Sequence, residues 1–252
     1  MQKIQVEKAG PVTTIIINRP EVRNALDTEA TRLLDAAVRD FEADTDARVA
    51  VLWGAGGSFC AGADLKELSA GVVYEPWAGS ANGPLRAPAA KPVIAAVAGY
   101  ACAGGLGVAL WCDLRVAEED AAFAVLSRRW GVPMSDGTTV RLPRLIGESR
   151  ALDMLLTARK VGAAEALQMG LVNRVVPKGQ SRAQAEALAR EIAGFPPIAA
   201  LSDRRSLHAQ AGQPLDVALA REAELSIEAR QKEAQDGARR FAQGAGRHGQ
   251  VS

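Results

Sequence analysis

Short apolar runs rich in β-branched residues alternate with helical spacings up to about residue 180, after which only helical spacing remains. Residues 3–7 and 12–18 read as strands around a Gly10-Pro11 turn. Residues 19–26 read as a loop. Asp27 then caps a helix running to about residue 44, whose apolar positions Ala30, Leu33, Leu34, Ala37, Val38 and Phe41 share one face. Residues 49–53 form a buried strand. A second one, 92–98, opens on Pro92, ends at Gly99 and passes through Ala103-Gly104-Gly105 into a helix to about residue 111. Strands follow at 114–117 and 122–125, then helices at 138–145, 148–157 and 163–169, the last stopped by Gly170, and a strand at 172–176 closed by Pro177. From residue 181 the pattern is helical, broken at Pro196-Pro197 and Pro214. This order gives the α/β class: a core over residues 1–195 and an α-helical region over 196–252. The terminal GAGRHGQVS reads as a frayed end.

One stretch has no clear period. Residues 69–90 are rich in Gly, Pro and Ala and read either as a mobile, partly helical flap over a site or as an ordinary surface loop.

Composition narrows the function classes. Thirty Lys and Arg balance 29 Asp and Glu across 252 residues, which excludes the basic excess expected of a nucleic-acid or anionic-membrane binder. Cys60, Cys102 and Cys112 sit among small or apolar residues at spacings that match no zinc or haem pattern, and read as reduced core residues. The opening MQKIQVEKAG lacks the apolar core of a secretion signal, and no run approaches the ~18 residues of a membrane span. The expectation is a soluble cytoplasmic protein.

The candidate chemistry lies at two strand–glycine–helix joints, VAVLWGAGGSFCAGADLKEL and KPVIAAVAGYACAGGLGVALWCD. Each sets small residues at a helix N-terminus, where the first N–H groups lack intrahelical acceptors and suit an oxygen that gains charge during reaction. A dinucleotide fingerprint at Gly54-Ala55-Gly56 fails, because Phe59 stands at its sixth position and no acidic residue waits at a second strand end. No G-x-S-x-G motif marks a serine hydrolase.

As a pair, SFCAGADLKEL and KPVIAAVAGYACAGGLGVALWCDLRVA resemble the two signature segments of the enoyl-CoA hydratase/isomerase (crotonase) family. NRPEVRNAL, RALDMLLTAR and EALQMGLVNRVVP also fit, so the resemblance covers nearly the whole chain in order. It implies a crotonase-like spiral of ββα units with a C-terminal α-helical trimerisation region, assembled as a homotrimer or a dimer of trimers. It implies an acyl-CoA or enoyl-CoA thioester as partner, in fatty acid metabolism, with no separate cofactor because CoA enters as part of the substrate. The backbone N–H groups of Ala63 and Gly104 become the oxyanion hole. Ala61, Ala63, Asp64 and Leu65 are implied contacts of the adenine and pantetheine, with Arg23 and Ala25 beside the nucleotide. Lys66 either offers charge to a phosphate or is a solvated helix lysine.

The chain departs from the hydratase pattern at its acid–base positions. One usual glutamate is replaced by Gly107 and the other aligns with Ser127, whose neighbours Leu126 and Arg128 are not carboxylates either. Asp136, on the loop that lines the acyl end in the resembled family, is the remaining candidate, with a helix N-cap as its alternative role. Arg128 and Arg129 suit an acidic acyl tail or a surface, Glu118-Glu119-Asp120 reads as a solvated turn, and His208 and His248 receive no role. Two readings stand. One is an enoyl-CoA hydratase by family default, or an isomerase using Asp136; the other is a non-catalytic acyl-CoA-binding protein.

Overall fold

A computed structural model describes residues 2–245; His248 lies outside them. The chain divides into two compact units between Ile192 and Ala193. In the first, β1 (Ile4–Ala9) and β2 (Val12–Ile17) form an antiparallel hairpin in register Ile4↔Ile17. Strands β3 (Val49–Gly54), β4 (Val93–Val97), β6 (Leu114–Glu118) and β9 (Arg174–Val176) add in parallel to give the order β1-β2-β3-β4-β6-β9. Every residue of β2 and β4 is buried; β4 is a continuous apolar run between parallel neighbours, while in β2 the buried Thr14 donates to Glu186 at 2.9 Å.

A second, three-stranded sheet is made of β5 (Tyr100–Cys102), β7 (Ala122–Ala124) and β8 (Val161–Gly162). Sequence reading missed β5 and β8, which are too short to show a period. Helix α1 (Thr28–Ala43) starts where expected: Asp27 accepts from the Ala30 N–H at 2.8 Å, and Ala30, Leu34, Ala37, Val38 and Phe41 are buried.

Helices α2 (Leu65–Ser69), α3 (Gly104–Trp111), α4 (Thr138–Ile146), α5 (Glu148–Thr157), α6 (Ala163–Met169) and α7 (Ser181–Ala193) complete this unit. Helix α3 follows β5 at once and is buried from Gly105 to Trp111, so its backbone, not its side chains, faces the loops at its start. The second unit holds α8 (Pro197–Ala209), α9 (Leu215–Ala229), a π-helical turn at Arg230–Ala234 and α10 (Gln235–Ala242).

Two readings are corrected. Residues 70–90 contain no helix, but they pack: Trp77 and Leu85 are buried, and Tyr74 donates to the carbonyl of Asp64. Glu118 is no solvated residue. It is buried and accepts from the Ser181 hydroxyl at 2.7 Å, tying β6 to the start of α7, while Glu119 and Asp120 are exposed.

Candidate functional site

The loop after β3 lies between two others. A parallel bridge pairs Ala63 with Leu26: the Leu26 N–H donates to the Gly62 carbonyl and the Asp64 N–H to the Leu26 carbonyl. In that geometry the N–H of Ala63 itself points to the side away from Leu26. A second bridge, Cys60↔Ala101, holds the same loop to β5.

Gly104 opens α3, so its N–H has no intrahelical acceptor. Among the described residues neither Ala63 N–H nor Gly104 N–H finds another. The loops touch where these groups stand, since a Cβ added at Gly62 would lie 2.8 Å from the Gly104 nitrogen. Ala103 reaches the helix start at φ 49°, a conformation rare outside glycine, and its N–H is fixed on the Ala124 carbonyl at 2.9 Å.

Asp136 is 4 % exposed and precedes Gly137, which takes the N-cap position of α4 that the sequence offered to Asp136. One carboxylate oxygen, Oδ1, accepts from the Thr138 N–H at 2.9 Å at the start of α4. The other, Oδ2, has no hydrogen-bond partner among the described residues and faces α3: a Cβ at Gly107 would fall 2.4 Å from the Asp136 Cγ and 2.7 Å from Oδ2. Burial pushes this carboxyl above the usual carboxylate range, while the Thr138 N–H and the Arg141 charge pull the other way. Ser127 is buried and turns its hydroxyl to the Met134 sulfur at 3.2 Å.

The residues expected near a nucleotide fall together only in part. The Ala61 N–H donates to the Arg23 carbonyl at 3.0 Å, and the Ala25 carbonyl accepts from Arg19, so these two loops run side by side. The Arg23 guanidinium is exposed and stands 5.7 Å from the Tyr100 ring centroid, with Lys160 at 5.0 Å from the same ring. Asp64 is buried, caps α2 through the Lys66 N–H and pairs with Arg19 at 3.1 Å. Leu65 and Lys66 are exposed on α2.

Sequence reading missed the residues that hold this arrangement. Arg19 bridges Asp27 at 3.0 Å and Asp64 at 3.1 Å. Asn24 is fully buried at φ 58° and donates to the Ala55 and Ser58 carbonyls; an asparagine in the loop that follows Pro20 was the available signal. Arg141 donates to the Asp136 carbonyl at 2.9 Å and to the Leu85 carbonyl at 2.7 Å. Trp77 lies against Gly104. A cavity of about 540 Å³ in the second unit, between Pro196 and Gly237, is lined by none of the expected site residues.

The N–H groups of Ala63 and Gly104 lie on neighbouring loops at the start of α3, and the buried Asp136 carboxyl packs against Gly107 on the same helix, within a two-sheet α/β fold. The family model for enoyl-CoA hydratase/isomerase matches residues 7–245, and the chain belongs to that family. Over 246 residues it is 37% identical to enoyl-CoA hydratase EchA19 of Mycobacterium tuberculosis, covering 94% of this chain and 92% of the relative. It is 34% identical over 232 residues to the short-chain-enoyl-CoA hydratase of Clostridium acetobutylicum, covering 89% and 88%. The crystal structure of enoyl-CoA hydratase EchA1 from Mycobacterium marinum superposes with a TM-score of 0.89 at 36% identity, covering 96% of each chain. The fold is therefore crotonase-like, with a C-terminal helical segment. No helix among the described residues is long and apolar enough to cross a membrane.

Proposed function

We infer that this protein binds an enoyl-CoA thioester, holds its carbonyl oxygen on the N–H groups of Ala63 and Gly104, and moves protons with Asp136 alone. The names of its relatives support hydration as the reaction. Charge that builds on the thioester oxygen as the enolate forms meets two fixed N–H dipoles in a site that need not reorganise. Asp136 Oδ2, as carboxylate, takes a proton from water while the water oxygen bonds to the β-carbon and the double-bond electrons move onto the thioester oxygen. The enolate then collapses, and the same carboxyl returns its proton to the α-carbon. A carboxyl whose burial raises its proton affinity suits both steps. A trimer or dimer of trimers belongs to the same reading.

What carries the reading is one position: the Asp136 carboxyl stands where a side chain at 107 would begin. Loss of enoyl-thioester absorbance with crotonyl-CoA tests it, alongside calorimetric binding, in wild type and Asp136→Asn. Turnover lost in the variant with affinity retained supports it, and turnover that survives removes Asp136 from the mechanism. Saturable binding without any wild-type turnover would instead make the protein a non-catalytic acyl-CoA binder. A second reading follows from the single carboxyl, since a proton shift from the γ- to the α-carbon needs no activated water. Conversion of a 3-enoyl thioester to the conjugated 2-enoyl form would identify it by a gain in absorbance.

A further inference from the structure

Thr138, the first residue of α4, is 0 % exposed. Its hydroxyl oxygen is the one buried side-chain nitrogen or oxygen among the described residues that has no hydrogen-bond partner. A buried hydroxyl left unpaired is costly, and native proteins rarely keep one without a use for it.

The backbone of the same residue brings this hydroxyl to a carboxyl. The Thr138 N–H donates to Asp136 Oδ1 at 2.9 Å, and rotation about one side-chain bond, χ1, moves the hydroxyl relative to that oxygen. Three other elements contribute to the surroundings of Asp136. Helix α3 brings Gly107, which has no charge. The loop after β3 brings the Cys60 thiol, which burial pushes up to about 12 and so keeps neutral. From within α4, Arg141 spends its guanidinium on the Asp136 and Leu85 carbonyls. Burial raises the affinity of the Asp136 carboxyl for its proton; the Thr138 N–H, the Thr138 hydroxyl and the more distant Arg141 charge oppose it.

We propose that Thr138 is a positioning residue for Asp136: its hydroxyl donates to the carboxylate whenever Asp136 is ionised, so that Oδ1 takes both donors of Thr138 and Oδ2 is left to exchange the proton. The inference rests on the functional reading above and adds the group that keeps its base usable. A hydrogen bond made to the ionised form favours that form. The hydroxyl therefore limits how far burial can raise the proton affinity of Asp136, and it anchors the oxygen that does not react. No covalent step is involved; the hydroxyl keeps its proton throughout.

The test uses Thr138→Val, which keeps the shape and removes the hydroxyl, and Thr138→Ser, which keeps the hydroxyl. The first readout, melting temperature against pH, needs no turnover. Without the hydroxyl the native state binds the Asp136 proton more tightly, so Thr138→Val is expected to lose more stability than wild type between about pH 5 and about pH 9. Thr138→Ser is expected to follow wild type. A gap between wild type and Thr138→Val that stays constant with pH overturns the proposal, because a hydroxyl unpaired in both ionisation states would produce it. The second readout is kcat/KM for crotonyl-CoA against pH. Its acid limb is expected to move up by about one to two pH units in Thr138→Val and to stay in place in Thr138→Ser. A limb unmoved in the valine variant, or moved equally in both, also overturns the proposal. Thr138→Ala reads the same two shifts if the valine protein does not fold. Wild type that turns over no crotonyl-CoA at any pH would overturn the functional reading instead, while the melting gap still decides whether Thr138 and Asp136 are coupled.

Discussion

Gly107 and Asp136 are one feature written at two places in the chain: the carboxyl of Asp136 fills the space a Cβ at 107 would need, 2.4 Å from Cγ. Restoring a glutamate at 107 is therefore no simple repair. Gly107→Glu is expected to drive Asp136 off α3 and destabilise the fold by about 1–3 kcal/mol, the usual scale of overpacking. Asp136→Gly in the same chain vacates the space, so the double variant is expected to be more stable than the sum of the single changes by about 0.5–3 kcal/mol. Denaturant midpoints of the four proteins measure that coupling, and additive values would mean the two sites do not share the space.

The same burial separates stability from activity. Asp136 is held above the usual carboxylate range by desolvation, so the native state binds its proton more tightly than the unfolded state does. Its contribution to stability is full below the unfolded pKa and is lost as pH rises through the native pKa. Asp136→Asn carries no charge and retains an oxygen to accept the Thr138 N–H. It is expected to melt higher than wild type at about pH 8, with the gap closing toward about pH 4, while turnover falls by about 10²–10⁴-fold. Melting curves against pH check the first part. A variant that melts lower at pH 8 would show that the ionised carboxylate is stabilised in place.

The scaffold of this site was legible because its signals are local. Asp27 precedes a one-face apolar pattern, and α3 starts where Gly104 and Gly105 follow an apolar strand. The hairpin around Gly10 and the helices after Ser181 followed in the same way. What was not legible is non-local. Nothing near Trp77 in sequence says that its ring lies on a glycine 27 positions later, and nothing near Arg141 names the Leu85 carbonyl as its partner. Asp136 fell between these cases. A place beside the start of α4 could be read from its sequence, one residue off the N-cap that Gly137 takes, but its approach to Gly107 depends on how α4 and its leading loop meet α3.

The three cysteines give a prediction free of the functional reading. Burial pushes the Cys60 thiol up to about 12 and Cys102 to about 11, and raises Cys112 as well. At pH 8 the thiolate that attacks a disulfide reagent is then scarce, below about one part in a thousand for each. Ellman's reagent is expected to titrate no thiol in the folded protein and all three after denaturation. A fast-reacting thiol in the native state would mean that the loops at Cys60 and Cys102 open readily.

Arg19 holds the loop that presents Ala63. Its guanidinium reaches Asp27, at the start of α1, and Asp64, the residue after Ala63, and all three side chains are nearly buried. Burial alone would raise the Asp27 pKa, but the Lys3 ammonium, the Ala30 N–H and the Arg19 charge outweigh it and hold this carboxyl below its ordinary value. That contribution is present above the unfolded pKa and is lost as pH falls through the native one. Arg19→Met leaves Asp64 without its cation while Asp27 keeps Lys3 at 2.7 Å, and is expected to destabilise the protein by about 1–3 kcal/mol at neutral pH. The deficit is expected to shrink on acidification, because Asp27 of the variant, no longer held down by the Arg19 charge, takes up its proton at a higher pH than Asp27 of wild type. Chemical denaturation at about pH 7 and about pH 4 measures both values. In a variant that still folds, the loosened Ala63 loop is expected to lower kcat for crotonyl-CoA more than it raises KM, because an oxyanion donor works hardest in the transition state. A change in KM alone would mean that Arg19 supports the nucleotide side of the loop and not its donor.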